Sequence, residues 1–243
     1  MINSDKLKSI VSKKAHGNSD LSQKYFQLFY FERILERISK SKYKGKIILK
    51  GGLLLTSIIG SDDRTTKDMD ATLKGLSLTR ENVEKIFSEI LNINVNDGVS
   101  FELVSIKDIR LEDEYGGFRL NILSRLDNNK TYITMELTTG DVITPREMKY
   151  NYNSIFEDKR IPIMTYTLET IIAEKFQTVI TRGIFNTRVK DFYDIYTLVK
   201  IKFNDIDKET LTMAIENTFK RRETKLDIDY FNEVINSLTE VVA

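Results

Sequence analysis

In "SQKYFQLFYFERILERISKS" the apolar residues Phe26, Phe29, Tyr30, Ile34, Leu35 and Ile38 recur at helical spacing. The pattern predicts an amphipathic helix whose charged residues occupy the opposite face. "KIILK" predicts a short buried strand, and "GGLLLTSIIG" a helix begun by two glycines and ended near Gly60. "TKDMDATLKG" alternates, with Met69, Ala71 and Leu73 on one face and Asp68, Asp70 and Thr72 on the other, as a half-buried strand does. "TRENVEKIFSEILN" follows as an amphipathic helix with Thr79 placed to cap it. "VSFELVSIKDI", "FRLNILSRL" and "TYITMELTT" read as three strands.

From about Leu168 the period changes. "LETIIAEKFQTVITR", "VKDFYDIYTLVKIK", "KETLTMAIENTFKRR" and "YFNEVINSLTEVV" all read as helices. An α+β half followed by a helical half predicts two packed domains, residues 1–162 and 163–243, with the boundary near Pro162 and a cleft between them. The other proline, Pro145, lies close to the same change of organisation.

Composition narrows the chemistry. With 243 residues the chain can bury a core without covalent staples, and it has no cysteine. That excludes disulfides and thiolate metal sites and suits a reducing cytosol. The one histidine, His16, sits in the polar "KKAHGNSD", so serine–histidine catalysis and a histidine-built zinc site are poor fits. A catalytic metal would need carboxylate ligands, which favours a hard ion such as magnesium. Net charge is +1, which gives no overall basic field for nucleic acid. No apolar run approaches the ~18–20 residues that span a bilayer. "MINSDKLKSIVSKK" lacks the apolar core of a signal peptide. A cytoplasmic monomer with no membrane partner is expected.

On a strand, Asp68 and Asp70 project the same way at a spacing of roughly 6–7 Å. Two such anions repel unless a cation lies between them. A two-metal site of this kind supports in-line phosphoryl displacement. Glu136, in "TYITMELTTGD", is the candidate third carboxylate, with Thr134 and Thr138 on its face. The plainer reading is an exposed strand carrying solvated acids. Gly51 and Gly52, between a strand and a helix, add a turn that lets backbone approach a phosphate. Alone, the pair would mark only a helix start. In "LETIIAEKFQTVI", Lys175 stands on the stripe of Leu168, Ile171, Ile172, Phe176 and Val179, where a lysine must pair, snorkel or face a cleft. In "RVKDFYDIYTLVK", Asp191 and Asp194 share a helix face. They suit helix-start chemistry or a partnership with Lys175 or Arg188.

The strand, glycine pair, helix and D-x-D strand together resemble the nucleotidyltransferase fold of the DNA polymerase β superfamily. The gap over residues 53–67 is long for its minimal members. "RTTKDMD", through Arg64, Thr66, Asp68 and Asp70, resembles the AbiEii/AbiGii toxin family of abortive-infection and type IV toxin–antitoxin systems. The resemblance implies a nucleotidyltransferase-like mixed sheet with helices, followed by a C-terminal helical bundle domain. It implies that Gly51, Gly52, Arg64 and Thr66 bind the nucleotide. Asp68, Asp70 and Glu136 would hold magnesium, with two ions possible, and act in catalysis. Lys175 matches the lysine of the family's second motif, facing the triphosphate, and "KDFYD" its R/K-D-x-x-D segment, which brings in Asp191. NTP as substrate, an RNA acceptor such as the 3′ end of tRNA, and a cognate antitoxin encoded nearby are further implications. Two other functions stay open on the residues alone: a nucleotidyltransferase acting on a small molecule such as an antibiotic, and an idle nucleotide-binding module.

Overall fold

The computed structural model describes residues 1–60, 65–109, 116–182, 189–225 and 229. Helices α1 (Ser4–Ala15) and α2 (Ser19–Lys40) precede β1 (Ile47–Lys50), α3 (Gly51–Ile59), β2 (Asp68–Leu73) and α4 (Arg80–Leu91). Strands β3 (Val99–Ile109), β4 (Gly117–Leu126), β5 (Asn129–Thr138), β6 (Met148–Asn153) and β7 (Arg160–Thr165) follow. The chain continues with α5 (Leu168–Arg182), α6 (Val189–Lys202) and α7 (Lys208–Arg221). Thr79 caps α4 by accepting from the Asn82 amide, as its position predicted. The last predicted helix, "YFNEVINSLTEVV", lies outside the described residues.

The strands form one mixed sheet in the order β3-β4-β5-β2-β1-β7-β6. β2 and β5 run parallel, as do β1 and β7, and the other neighbours are antiparallel. β2 is therefore central, and its alternation sorts its two faces: Met69, Ala71 and Leu73 are buried, while Asp68 is exposed and Asp70 half-buried. β6 and β7 had no counterpart in the sequence reading. Both are short, and Pro162 argues against an interior strand. Pro162 pairs with Asn151 of β6, whereas β1 meets β7 only at Met164 and Thr165, so the missing amide falls outside the β1 ladder.

Helix α2 departs from its amphipathic reading. Four of its charged residues are not solvated: Glu32, Arg33, Glu36 and Arg37 are all buried. Each is paired, which is what a buried charge requires. Arg37 forks onto the Asp97 carboxylate at 2.7 and 2.9 Å and donates to the Val99 carbonyl at 2.8 Å. Arg33 bonds Glu157, and Glu36 receives Lys40 and Lys159. Glu32 accepts from the Ser154 hydroxyl and the Ile155 amide, which holds the β6–β7 turn.

The chain divides into two compact units: Met1–Gly140 with Met148–Thr165, and Asp141–Glu147 with Tyr166–Ala243. In the second, α5 packs on α6 and α7, and Phe176 of α5 meets Phe219 of α7 at a ring separation of 5.8 Å.

Candidate active site

β1 ends at Lys50 and the chain turns into α3 through Gly51, at φ +64. The left-handed backbone favours glycine there, and a second constraint is stricter. A Cβ on Gly51 would lie 2.1 Å from Oδ2 of Asp70. Asp70 of β2 is thus laid directly against the glycine turn, and its carboxylate accepts the Gly52 amide at the start of α3. An unpaired amide at a helix N-terminus is a natural seat for an anion. The glycines and the acids, adjacent as motifs in the sequence, are adjacent in space.

Cross-strand register assembles the rest. Glu136 of β5 stands directly opposite Asp70. Arg119 of β4 stands opposite Glu136, and Lys50 of β1 opposite Asp70. Directly opposed residues share a face. The sheet therefore carries one row, Arg119–Glu136–Asp70–Lys50, with charges in the order plus, minus, minus, plus. Asp68, two residues before Asp70, adds a third carboxylate to that face. Thr66 frames the start of β2: its hydroxyl donates to the Asp68 carbonyl at 3.1 Å and lies 3.4 Å from the Asp68 amide.

The cations are held differently. Lys50 is buried, and its Nζ donates to the Thr138 hydroxyl at 2.8 Å. Arg119 is half-exposed, and its Nε and Nη2 both reach Oε1 of Glu136, at 3.0 and 2.6 Å. Burial, with Glu136 and Asp68 nearby, pushes the Asp70 carboxyl up to about 6, against the opposing pull of Lys50 and the Gly52 amide. The Glu136 carboxylate, with a smaller contribution from Asp68, holds the Arg119 guanidinium above its ordinary value. Sequence reading missed Lys50 and Arg119. The only sign of Arg119 is that it falls on the polar side of β4's alternation.

An all-oxygen donor set and a raised Asp70 carboxyl suit a hard divalent cation, which would relieve the crowding of negative charge. Among the described residues, however, no three His, Cys, Asp or Glu side chains close on a common point. Asp68, Asp70 and Glu136 share a face, but Glu136 is bonded to Arg119.

In the second unit, Lys175 of α5 pairs rather than snorkels. Its Nζ lies 2.8 Å from Oδ1 of Asp191 and 2.7 Å from Oδ2 of Asp194, both on α6. Asp194 is fully buried, and Oδ2 of Asp191 is buried without a hydrogen-bond partner. The i, i+3 spacing of the two aspartates brings both onto one lysine. Arg64 and Arg188 lie outside the described residues.

The family model for the nucleotidyl transferase AbiEii toxin of type IV toxin–antitoxin systems matches residues 33–240. The chain belongs to this family. Membership makes it a nucleotidyltransferase of a toxin class and implies an NTP substrate and an antitoxin partner. No curated protein sequence matches the chain. Among solved structures, the antibiotic-resistance factor ANT(2″)-Ia is similar at 15% identity and a TM-score of 0.48, over 82% of this chain and 94% of that one. JHP933 from Helicobacter pylori is similar at 14% identity and a TM-score of 0.44, over 89% of this chain and 98% of that one. An antigenic nucleotidyltransferase-like protein from Paracoccidioides brasiliensis is similar at 17% identity and 0.41, over 91% of each chain.

Proposed function

We propose that this AbiEii-family chain transfers a nucleoside monophosphate from an NTP to an RNA acceptor, the 3′ end of tRNA being the expected target, and so acts as a growth-inhibiting toxin of the cytoplasm. The observation that carries the transfer reading is the placement of Asp68, Asp70 and Glu136 on one sheet face against the Gly51–Gly52 turn. The RNA acceptor rests on family membership.

In the reaction, an acceptor hydroxyl oxygen bonds to the α-phosphorus, and the bond from that phosphorus to the α,β-bridging oxygen breaks. Pyrophosphate leaves, and the hydroxyl proton passes to a carboxylate or to water. Asp68 and Asp70, with Glu136 as third carboxylate, would hold magnesium, which would supply neutralisation of the phosphate charge. The Gly51–Gly52 turn and Thr66 take up the nucleotide beside those acids. Lys175, paired with Asp191 and Asp194, is assigned to the triphosphate by its match to the family's second motif alone.

The test is incubation with each labelled NTP, magnesium and total RNA. Label is expected in RNA, and Asp68→Ala should lower its rate by about a hundred- to a thousandfold, the scale lost with a principal electrostatic group. Label appearing only on an added aminoglycoside, or no label on RNA with any NTP, overturns the RNA reading.

A further inference from the structure

The row Arg119–Glu136–Asp70–Lys50 is neutral in itself, and its two cations are not equivalent. Lys50 is buried at the inner end and committed to Thr138. Arg119 is at the outer end, its side chain half in solvent, with both contacting nitrogens on one oxygen of Glu136. Glu136 faces Asp70 across the β2–β5 ladder, yet the three acids do not converge. The Arg119 guanidinium neutralises the third acid.

Such a pair is cheap to exchange. An ion pair this exposed contributes little net stability. The guanidinium fork that fits a carboxylate fits a phosphate equally well, and its charge does not titrate away. A nucleoside triphosphate arriving with a divalent cation offers both halves of the exchange: a cation for Glu136 and phosphate oxygens for Arg119.

Building on the nucleotidyl-transfer reading, we propose that Arg119 is a triphosphate-binding residue stored on Glu136, released when the metal–nucleotide takes Glu136 as a ligand. No covalent step is involved, because one anion replaces another on the arginine. Arg119 thereby masks the third carboxylate until nucleotide is present, which ties metal uptake to substrate uptake.

Two binding measurements on the full chain test this without turnover. Mn²⁺ alone is titrated by electron paramagnetic resonance. The Mn²⁺ complexes of ATP, GTP, CTP and UTP are titrated separately by equilibrium dialysis. Arg119→Ala should bind Mn²⁺ alone several-fold more tightly, because Glu136 is uncovered. It should bind the preferred Mn²⁺–NTP about tenfold more weakly, with Arg119→Lys in between. Glu136→Gln should move the other way, weakening Mn²⁺ binding and tightening metal-free NTP binding in EDTA, because Arg119 is released. An Arg119→Ala protein that binds Mn²⁺–NTP as the wild type does, or that weakens Mn²⁺ and Mn²⁺–NTP together, overturns the assignment. A wild type that takes up neither Mn²⁺ nor any Mn²⁺–NTP overturns the transfer reading itself, a result distinct from failure of Arg119 alone.

Discussion

Asp70 is a residue placed against its own stability. Its carboxyl is raised from an ordinary 3.8 to about 6, burial being the first cause and the neighbouring acids the next. A group whose folded value is raised holds its proton more firmly in the folded state. The folded protein is therefore relatively favoured below about pH 4 and loses that advantage as pH rises through 6. Above that point the ionised carboxylate costs about 3 kcal/mol, on the order of two pH units of differential proton binding. Asp70→Asn should make the protein more stable than wild type at pH 7.5, by up to that amount, and leave it unchanged near pH 3.5, while abolishing transfer. Urea midpoints at the two pH values check this, and a variant less stable at both would refute the electrostatic account. Magnesium should raise the wild-type midpoint at pH 7.5 and leave that of Asp70→Asn unmoved. At this scale the acids were legible in the sequence because a strand's two-residue period puts Asp68 and Asp70 on one face without further information. Lys50 and Arg119 were not legible. Each joins the row through register with a partner strand, Lys50 through β2 and Arg119 through β5, and no spacing within its own strand encodes that.

Helix α2 shows the same division at the level of an element. Periodicity located the helix, but charge alone could not say which of its faces are covered. The partners that neutralise Arg37 and Arg33 are Asp97 and Glu157, far along the chain. A turn-by-turn reading sees Glu32, Arg33, Glu36 and Arg37 as charged residues and assigns them to water. The cost of removing one partner follows from their burial. Arg37 is held by Asp97 and Val99 and lies 4.8 Å from the centre of the Phe101 ring. Arg37→Ala should destabilise by about 3–5 kcal/mol, the usual cost of leaving a buried charge without its partner. The loss should depend on pH. Burial pushes the Asp97 carboxyl up, but the Arg37 hydrogen bonds and charge outweigh it and hold it below its ordinary value. Its contribution is then present above about pH 4 and lost as pH falls through the lowered folded value. The stability gap between wild type and Arg37→Ala, measured by urea unfolding, should narrow on acidification below pH 4. A gap that stays constant with pH would show that lost packing, not the ion pair, carries the effect.

The whole molecule is organised less simply than its hydropathy suggests. Periodicity changes once, near Leu168, and that change invites a single boundary at Pro162. The chain instead enters the second unit at Asp141–Glu147, returns to the first for β6 and β7, and leaves again at Tyr166. Two short strands of ordinary composition carry that return, so nothing in the hydrophobic pattern flags it. The last residues of β7 matter most for the sheet, because Met164 and Thr165 are the ones paired with Ile48 and Leu49 of β1. β1 in turn presents Lys50 to Asp70 and leads into Gly51. A cut at residue 162 removes those contacts along with buried Ile163, whereas a cut after residue 165 keeps them. The fragment 1–165 should therefore unfold in urea at a clearly higher midpoint than the fragment 1–162. It should also retain the greater share of any Mn²⁺ binding, since the strand that carries the glycine turn stays paired on both edges. Equal midpoints for the two fragments would mean that β7 does not brace β1, and that the acid-bearing face is organised by β2 and β5 alone.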